Sequence, residues 1–599
     1  MIYENRTDID TQYTWDLSSI FPSDEAFLDA LADLKTYPEK FAAFEGTLAQ
    51  SAHNLLTYCS LDDEVGIKLG KLINYAQRKS DEDTRVALYQ DYSNQVMSAY
   101  VTLASSQAWF TSELLSIPED TMASFYREEP GLELYRRIFD KIFASKAHIL
   151  SKEEEALLAG VGDLASQPEN IFSQLNDADL TFEDALDSQG NAHPVTHGSY
   201  VPLLTSSDRE LRKNAFTSMY KTYGSSKNTC AAILGAQTKQ LHFFSKARKY
   251  ESSLAYSLDN TEVPVEVYTN LIASVRNNLK HLHTYVGLRK KLLGLDELHF
   301  YDLYTPMVED LDMSFTYEEA CEIILEALQP LGEEYLSLVR KGLSERWIDV
   351  YENKGKRSGA YSAGGFGMHP VILLNFQGKL DDVFTLIHEM GHSIHTYLSC
   401  QEQPSCYSSY VIFVAEVAST CNEALLMQYF LKNTTDAKKR AYLLNHFLEQ
   451  FRGTLYRQTM FAEFELAINQ LTAQGNALTS EALCEMYKQL NTDYFGPEIV
   501  VDDDIALEWA RIPHFYYNYY VYQYATGYAA AIALSQRILN EGAPAVEAYL
   551  SFLKGGNSQP PIDLLKGAGV DMATAQPINS ALELFGELLE EMEALTQEL

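Results

Sequence analysis

The sequence predicts a mostly α-helical protein with one small β element, and three patterns support this fold class. Apolar residues recur at helical spacing behind capping residues, as after Ser23. Ser151 and Glu154 have the spacing of a capping box before another apolar pattern. The main strand-like segment is the short apolar run at residues 371–376. Helices should therefore dominate, with a strand near the middle of the chain.

Composition indicates an ordered globular protein, because 46% of the 599 residues are hydrophobic and 12% are aromatic. The net charge of −37 disfavours nucleic acid and anionic membranes as partners and would attract cationic peptides or metal ions. A well-solvated surface is the simpler explanation of that charge. Seven scattered cysteines without a CxxC pair indicate a reducing compartment. With no apolar leader or membrane-length run, a cytoplasmic location is expected.

Residues 1–204 form a predicted N-terminal helical region that contains no metal-ligand cluster or nucleophile motif. Its end, residues 185–204, carries two glycines and two prolines and predicts a hairpin or loop, which we take as the domain boundary. His193 and His197 are four residues apart there. Pro194 and Gly198 argue against a helix, so this pair is not expected to bind metal.

Residues 205–599 form the predicted catalytic region. Ser207 is expected to cap its first helix, and Thr316 caps a later one. Residues 354–370 are rich in glycine and predict a mobile loop before the strand at 371–376. Such a strand is suited to bind an extended peptide through backbone hydrogen bonds. A helix should follow, with Asp381 or Asp382 as its N-cap.

That helix contains the chemistry-bearing motif His388-Glu389-Met390-Gly391-His392. Side chains four residues apart share one face of a helix, so His388 and His392 can hold one metal ion together. Glu389 is placed to act as general base on a metal-activated water. The motif predicts a metal site that lacks its third protein ligand.

Two candidates exist for the third ligand. His395 lies on roughly the same face but two turns from His388, which favours a supporting role. Glu416 follows after a length sufficient for a loop and a returning helix. Glu416 and Glu423 share one face of an otherwise apolar helix, where carboxylates need partners. One can bind the metal while the other orients a histidine.

The candidate donors favour one kind of metal site over another. A di-iron helical bundle needs two Glu-x-x-His motifs, and among the fourteen histidines only His392 has a glutamate three residues before it. Two imidazoles and one carboxylate favour one zinc ion over cobalt or manganese.

The chain resembles the thimet-oligopeptidase family of zinc metallopeptidases, in its oligoendopeptidase F branch. HEMGHSIH at 388–395 and EVASTCNE at 416–423 match the family's two motifs. The opening segment at 14–27 and the loop, strand and helix at 359–392 look like that branch. The resemblance runs nearly from end to end.

The resemblance implies a large two-lobed helical metallopeptidase fold with a deep substrate channel and a small β element beside the zinc helix. Residues 1–204 would shape the channel. It implies that His388, His392 and Glu416 bind zinc and that Glu389 is the general base. The substrates would be short unfolded peptides, because a channel would exclude folded proteins.

The resemblance also implies oxyanion donors in the segment 511–534, where the family places a histidine and tyrosines. His514 fits the histidine, and Tyr519 fits the first tyrosine by spacing. Tyr528 fits the last tyrosine best, but its spacing from His514 departs by two residues from the thimet branch. Tyr522 therefore stays a rival.

The predicted function is zinc-dependent hydrolysis of internal bonds in short peptides, with Glu389 activating a zinc-bound water. One alternative is an exopeptidase of the dipeptidyl carboxypeptidase type on the same scaffold. The other is a non-catalytic peptide-binding helical protein, and the presence of Glu389 beside a full ligand set argues against it.

Overall fold

In a computed structural model of the protein, 71% of the chain is helical. This helix content confirms the mostly α fold class. The structure describes residues 2–308, 311 and 313–598. Its helices in chain order are α1 (Asp24–Leu34), α2 (Tyr37–Ala42), α3 (Ala52–Glu82), α4 (Ala87–Gln107), α5 (Phe110–Ser116), α6 (Glu119–Glu128), α7 (Arg136–Ala144), α8 (Lys152–Ala165), α9 (Gln167–Gln174), α10 (His197–Leu204), α11 (Arg209–Ala247), α12 (Ser253–Asp259) and α13 (Val265–Asn277). They continue with α14 (Leu279–Leu292), α15 (Tyr317–Ala327), α16 (Gly332–Ser344), α17 (Leu380–Glu402), α18 (Ile412–Asn433), α19 (Ala437–Gln450), α20 (Arg457–Ala473), α21 (Ser480–Phe495), α22 (Tyr522–Glu541), α23 (Ala543–Leu553), α24 (Pro561–Gly567) and α25 (Gln576–Glu598).

Three predicted helix starts are confirmed by side-chain caps. The Ser23 hydroxyl accepts a hydrogen bond from a backbone amide at the start of α1. Ser151 with Glu154 and Thr316 with Glu319 form reciprocal capping boxes at α8 and α15. In each case a side-chain oxygen satisfies an amide that the first helical turn leaves unpaired.

The helix α11 starts one residue later than predicted. Asp208, not Ser207, is its N-cap, and the Asp208 carboxylate accepts hydrogen bonds from the amides of Glu210 and Leu211. The Ser207 prediction was wrong because the neighbouring carboxylate is the stronger acceptor at the positive end of a helix.

The predicted aspartate N-cap of α17 was also wrong. The N-cap is Lys379, and the helix starts at Leu380. The Asp382 carboxylate acts from the third helical position, where it accepts from the amides of Lys379 (2.8 Å) and Gln377 (3.1 Å). The same charge therefore caps the helix from inside its first turn.

In the part of the chain that the structure describes, seven short strands form three small sheets. The strands are β1 (Ala185–Leu186), β2 (Ala192–His193), β3 (Leu298–His299), β4 (Ile348–Asp349), β5 (Tyr361–Ala363), β6 (Val371–Leu373) and β7 (Ile499–Val500). The pairing of β1 with β2 is antiparallel and confirms the predicted hairpin. The end of that segment is nevertheless helical, because Thr196 caps α10 despite Gly198 and Pro202.

The strand before α17 is shorter than predicted and lies in the middle of its sheet. β6 pairs in parallel with β4 on one side and antiparallel with β5 on the other. Both edges of β6 are paired, so the prediction that a peptide pairs along this strand was wrong for residues 371–373. β5 lies inside the glycine-rich segment that the sequence predicts to be a loop. Among the described residues, no further strand pairs with β5.

The chain divides into two compact units. Unit 1 comprises Met1–Ala147, Asp312–Leu426 and Leu534–Gly569, and unit 2 comprises His148–Leu311, Met427–Ala533 and Val570–Leu599. The units follow a different division from the predicted domains, since the boundary at 204 and 205 falls inside unit 2. The compact units say nothing about the functions of residues 1–204 and 205–599. Their assignment as a channel-shaping region and a catalytic region stays a prediction.

The core of unit 1 joins the N-terminal helices to the central strand. Val371 and Leu373 of β6 are buried in one apolar cluster with side chains of α1, α3 and α4, including Phe27 and Tyr75. The N-terminal helices thereby support the sheet that precedes α17.

Among the described residues, no helix combines the length and apolar character that a membrane span requires.

Candidate active site

The helices α17 and α18 bring the three predicted metal ligands together in unit 1. His388 and His392 share one face of α17, and their ring centroids are 4.8 Å apart. Glu416 extends from α18, with its Oε2 atom 3.2 Å from His388 Nε2 and 3.4 Å from His392 Nε2. One ligand atom from each of the three residues lies within 4.8 Å of the others.

A glycine permits this close crossing of the two helices. A Cβ atom on Gly391 would lie 2.6 Å from Ser419 Cα and 2.9 Å from the Ala418 carbonyl oxygen, both in the backbone of α18. Carbon atoms in packed interiors stay about 3.5–4.0 Å apart, so no larger residue fits without moving a helix. Gly391 therefore sets the distance across which Glu416 meets the two histidines.

Three polar side chains of α18 support this geometry. Glu423 Oε2 lies 3.5 Å from His388 Nδ1, as expected for a carboxylate that orients a ligand histidine. The Ser419 hydroxyl lies 3.2 Å from Glu416 Oε2 and donates to it. The buried Asn422 amide donates to the Ile387 carbonyl (3.2 Å) and ties α18 to α17. The sequence reasoning missed Ser419 and Asn422, although polar residues on an apolar helix are a usable signal.

The protonation of these groups shows how they share charge. Burial lowers the pKa of His388, but hydrogen bonding to Glu416 and Glu423 outweighs it and raises that pKa to about 10. Burial raises the pKa of Glu416, yet bonding to His388 and His392 holds it well below its usual range. Both shifts favour an imidazolium paired with a carboxylate, and metal binding would release the imidazole proton.

The predicted general base adjoins the ligands. The Glu389 side chain is buried, and burial raises its pKa above the ordinary value for a glutamate. The Ser362 amide of β5 donates to its carboxylate. The Ser362 hydroxyl pairs with that of Ser393 on α17 at 2.8 Å, which fixes β5 beside the helix. Ser362 was not predicted from the sequence, because a strand as short as β5 leaves no recognisable alternation of apolar and polar residues.

His395 has a packing role and is outside the ligand group. Its side chain is 1% exposed, and its ring stacks on Tyr410 with centroids 3.7 Å apart. Burial lowers the pKa of His395 to about 3, so the ring stays neutral. The pair His193 and His197 is also separated, since His193 contacts Asp187 and His197 bonds to the Asn176 carbonyl.

The predicted oxyanion donors lie in unit 2. His514 is partly exposed, and its Nε2 atom lies 3.3 Å from the Tyr524 hydroxyl. Burial, followed by the charge of Arg457, lowers the pKa of His514. Tyr528 and Tyr522 are buried, with hydroxyls shielded from solvent.

Tyr519, the first tyrosine by spacing, belongs to the core of unit 2. Its side chain is buried, and its ring meets that of Tyr268 edge to face. Its backbone has a positive φ of 63°, and its amide donates to Glu465 at 2.6 Å. This placement favours a structural role for Tyr519.

The donor set on α17 and α18 fits zinc. Two imidazoles and one carboxylate converge from two helices that a glycine holds in contact, and a second carboxylate supports one imidazole. A profile of the Peptidase family M3 matches residues 202–584, and a profile described as Oligopeptidase F matches residues 113–182.

The chain belongs to peptidase family M3.

Known members of the family are similar over almost the whole chain. Oligopeptidase PepF of Bacillus subtilis is 49% identical over 591 residues, covering 99% of this chain and 88% of the relative. The crystal structure of oligoendopeptidase-F from Enterococcus faecium is 38% identical, covers 97% and 100% of the two chains and has a TM-score of 0.74. A solved Chlamydophila abortus protein is 36% identical, with coverage of 99% and 100% and a TM-score of 0.94.

Membership of family M3 confirms the resemblance seen in the motifs and the prediction of an enzyme, a metallo-oligoendopeptidase. Peptides are the substrate class that the family implies. Family membership therefore excludes the alternative of a non-catalytic peptide-binding protein.

Proposed function

We propose that this M3 peptidase is a zinc-dependent endopeptidase that hydrolyses internal bonds of short unfolded peptides. The observation that carries the proposal is the convergence of His388, His392 and Glu416 within 4.8 Å, beside the buried Glu389. The three ligands would hold one zinc ion. When bound, zinc would activate a water molecule and polarise the scissile carbonyl.

Glu389 carries the proton transfers in this mechanism. Its carboxylate takes a proton from the attacking water and then delivers it to the amine that leaves. Burial raises the pKa of Glu389, which makes the carboxylate a better base at neutral pH. The Ser362 amide and the neighbouring Ser393 keep the base in place while the proton moves.

We place the substrate backbone along β5 instead of β6. β5 pairs with β6 through one edge and packs beside α17, while its other edge has no strand partner among the described residues. An extended peptide can add to such an edge by backbone hydrogen bonds. Side chains then fall alternately on both sides of the bound peptide.

His514 and a tyrosine are proposed to donate hydrogen bonds to the oxyanion. Tyr528 keeps the role that the family pattern implies, with Tyr522 as its rival. Tyr524 joins them, because its hydroxyl reaches His514 and its side chain is partly exposed, whereas both other hydroxyls are shielded. Phenol and imidazole donors stabilise charge that develops only in the transition state.

A cytoplasmic location is part of the proposal. All seven cysteines are free thiols, three of them buried. Unpaired cysteines are usual in a reducing compartment.

Mass spectrometry of products from a mixed peptide library tests the function. Internal cleavage that a chelator abolishes and zinc restores supports an endopeptidase. Release of dipeptides from one terminus alone would favour the exopeptidase alternative, and cleavage that persists after complete removal of metal would contradict both. The variant Glu389→Gln serves as the matched control for contaminating peptidases.

A further inference from the structure

A small cavity in unit 2 is lined by an unusual number of positive side chains. Its volume is about 20 Å³, and Arg452, Arg457 and Arg511 all face it. Glu508 is the only acidic residue in its lining, among the described residues. The side chains of these three arginines are each at most 17% exposed to solvent. None of its lining residues is a proposed metal ligand or the proposed general base.

The charges around the cavity do not balance. Glu508 accepts hydrogen bonds from Arg457 (2.5 Å) and Arg511 (2.7 Å). Glu449 accepts from Arg452 (2.8 Å) and also from the fully buried Arg289. Four guanidinium groups thus share two carboxylates. Uncompensated buried charge is costly, so a site of this kind favours a bound counter-ion.

Several hydrogen-bond donors at the cavity have no acceptor among the described residues. Arg452, Arg457 and Arg511 each leave their Nη1 group unused. The Tyr304 hydroxyl likewise has no acceptor in the described part of the chain, while its ring lies 4.9 Å from the Arg452 guanidinium. Guanidinium groups only donate. The cavity therefore offers donors to a group that accepts from several directions.

The Glu508 carboxylate has little capacity left to meet these donors. Besides the two arginines it accepts from the Tyr487 hydroxyl at 2.5 Å. A single water accepts about two hydrogen bonds and brings no charge, so it would leave the net positive charge in place. An anion satisfies both the donors and the charge.

We propose that this cavity binds one small inorganic anion of halide size, such as chloride. A volume of about 20 Å³ is enough for one water-sized particle, and a halide is close to that size. Bound there, the anion joins α20, which begins at Arg457, to the 3-10 segment Ile505–Arg511. His514 follows three residues after Arg511, so the anion also holds the segment that carries this proposed oxyanion donor.

Ionisation of Tyr304 is the competing way to balance the charge. Burial raises the pKa of Tyr304, but the charges of Arg457 and Arg452 outweigh it and lower that pKa. A phenolate would make an external anion unnecessary. The two cases differ in whether an added halide enters the cavity.

The test compares thermal unfolding of the full-length zinc-loaded enzyme in sodium chloride and in sodium gluconate at equal ionic strength. Chloride should raise the Tm saturably by about 2 °C or more, since a ligand that binds only the native state stabilises it. Gluconate is too large for the cavity and should not produce this saturable rise in Tm. Equal shifts in the two salts would overturn the proposal, because screening of the acidic surface would explain them.

Two cavity variants and one control sharpen the result. Arg457→Gln should weaken the chloride midpoint about tenfold or more, as expected for loss of a charge-assisted hydrogen bond. Tyr304→Phe removes only a hydroxyl and keeps the test possible if Arg457→Gln does not fold. Arg340→Gln removes an arginine from a surface pair with Glu333 and should leave the chloride response unchanged. A chloride response that survives both cavity variants would overturn the proposal.

Crystals soaked in bromide distinguish the halide from the phenolate. An anomalous peak between the three arginines supports the proposal. A cavity without such a peak, together with a phenolate absorbance at neutral pH that Tyr304→Phe abolishes, would assign the balancing charge to Tyr304 and contradict the anion site.

Discussion

Single residues at the metal site act through their position more than through their type. His395 lies close in sequence to two proposed ligands, yet its ring stacks on Tyr410 and is outside the candidate ligand group. Glu416 and Glu423 look equivalent in the sequence. The structure places Glu416 against both histidines and Glu423 against the far nitrogen of His388 alone. The spacing along each helix could be predicted, but which carboxylate faces which nitrogen depends on how two helices cross.

The oxyanion tyrosine can be identified by single-residue changes. We expect Tyr524→Phe or Tyr528→Phe to lower kcat about 100-fold, as loss of one oxyanion donor does elsewhere, with little change in KM. Tyr522→Phe should have the smaller effect. Steady-state kinetics on a quenched peptide measures this, with the exposed Tyr517→Phe as a matched control. Unchanged kcat in all three variants would remove the tyrosines from the mechanism.

Helices and strands determine how the two family motifs meet. Helix existence and the chemistry of α17 follow from local patterns, and so do the caps of α1, α8 and α15. The order of the sheet does not, because strand pairing depends on segments distant in sequence. β5 spans only three residues among glycines and leaves no readable alternation. The substrate edge was therefore assigned to β6, which proved to be the central strand.

The close contact between α17 and α18 at Gly391 predicts the effect of a larger residue at that position. Gly391→Ala places a methyl group against the backbone of α18, so we expect a loss of about 1–3 kcal/mol in the free energy of unfolding. Displaced helices should also separate Glu416 from the histidines and weaken zinc binding. Urea unfolding and competition with a chromogenic chelator measure the two effects.

Gly66→Ala is the matched control for this change. Gly66 also lies within a helix, but a Cβ atom there would meet nothing within 4 Å. Alanine should stabilise this position by about 0.4–1 kcal/mol. Equal effects of the two substitutions would show that helix propensity, and not the α17–α18 contact, explains the result.

At the scale of the whole molecule, each compact unit contains different residues of the proposed mechanism. Unit 1 holds the proposed metal ligands and the proposed general base, and unit 2 holds His514, the candidate tyrosines and the arginine-lined cavity. The chain enters and leaves each unit more than once, which a reading of local patterns does not reveal. Long-range packing decides such a division, and no short motif records it.

Removal of the metal should loosen unit 1 selectively. Zinc that binds only the native site stabilises it, so a chelator should increase amide hydrogen exchange in α17 and α18. The helices α13 and α14 of unit 2 should keep their protection. Exchange measured by mass spectrometry with and without chelator tests this. A uniform increase over both units would contradict a local role for the metal.

The most direct test of the central claim is the change Glu389→Gln. Glutamine keeps the size of the side chain and leaves the three ligands intact, but it cannot accept a proton from water. The variant should bind zinc with wild-type stoichiometry and lose about 10²–10⁴-fold in kcat on a quenched peptide. Wild-type turnover by a zinc-loaded Glu389→Gln enzyme would contradict the account.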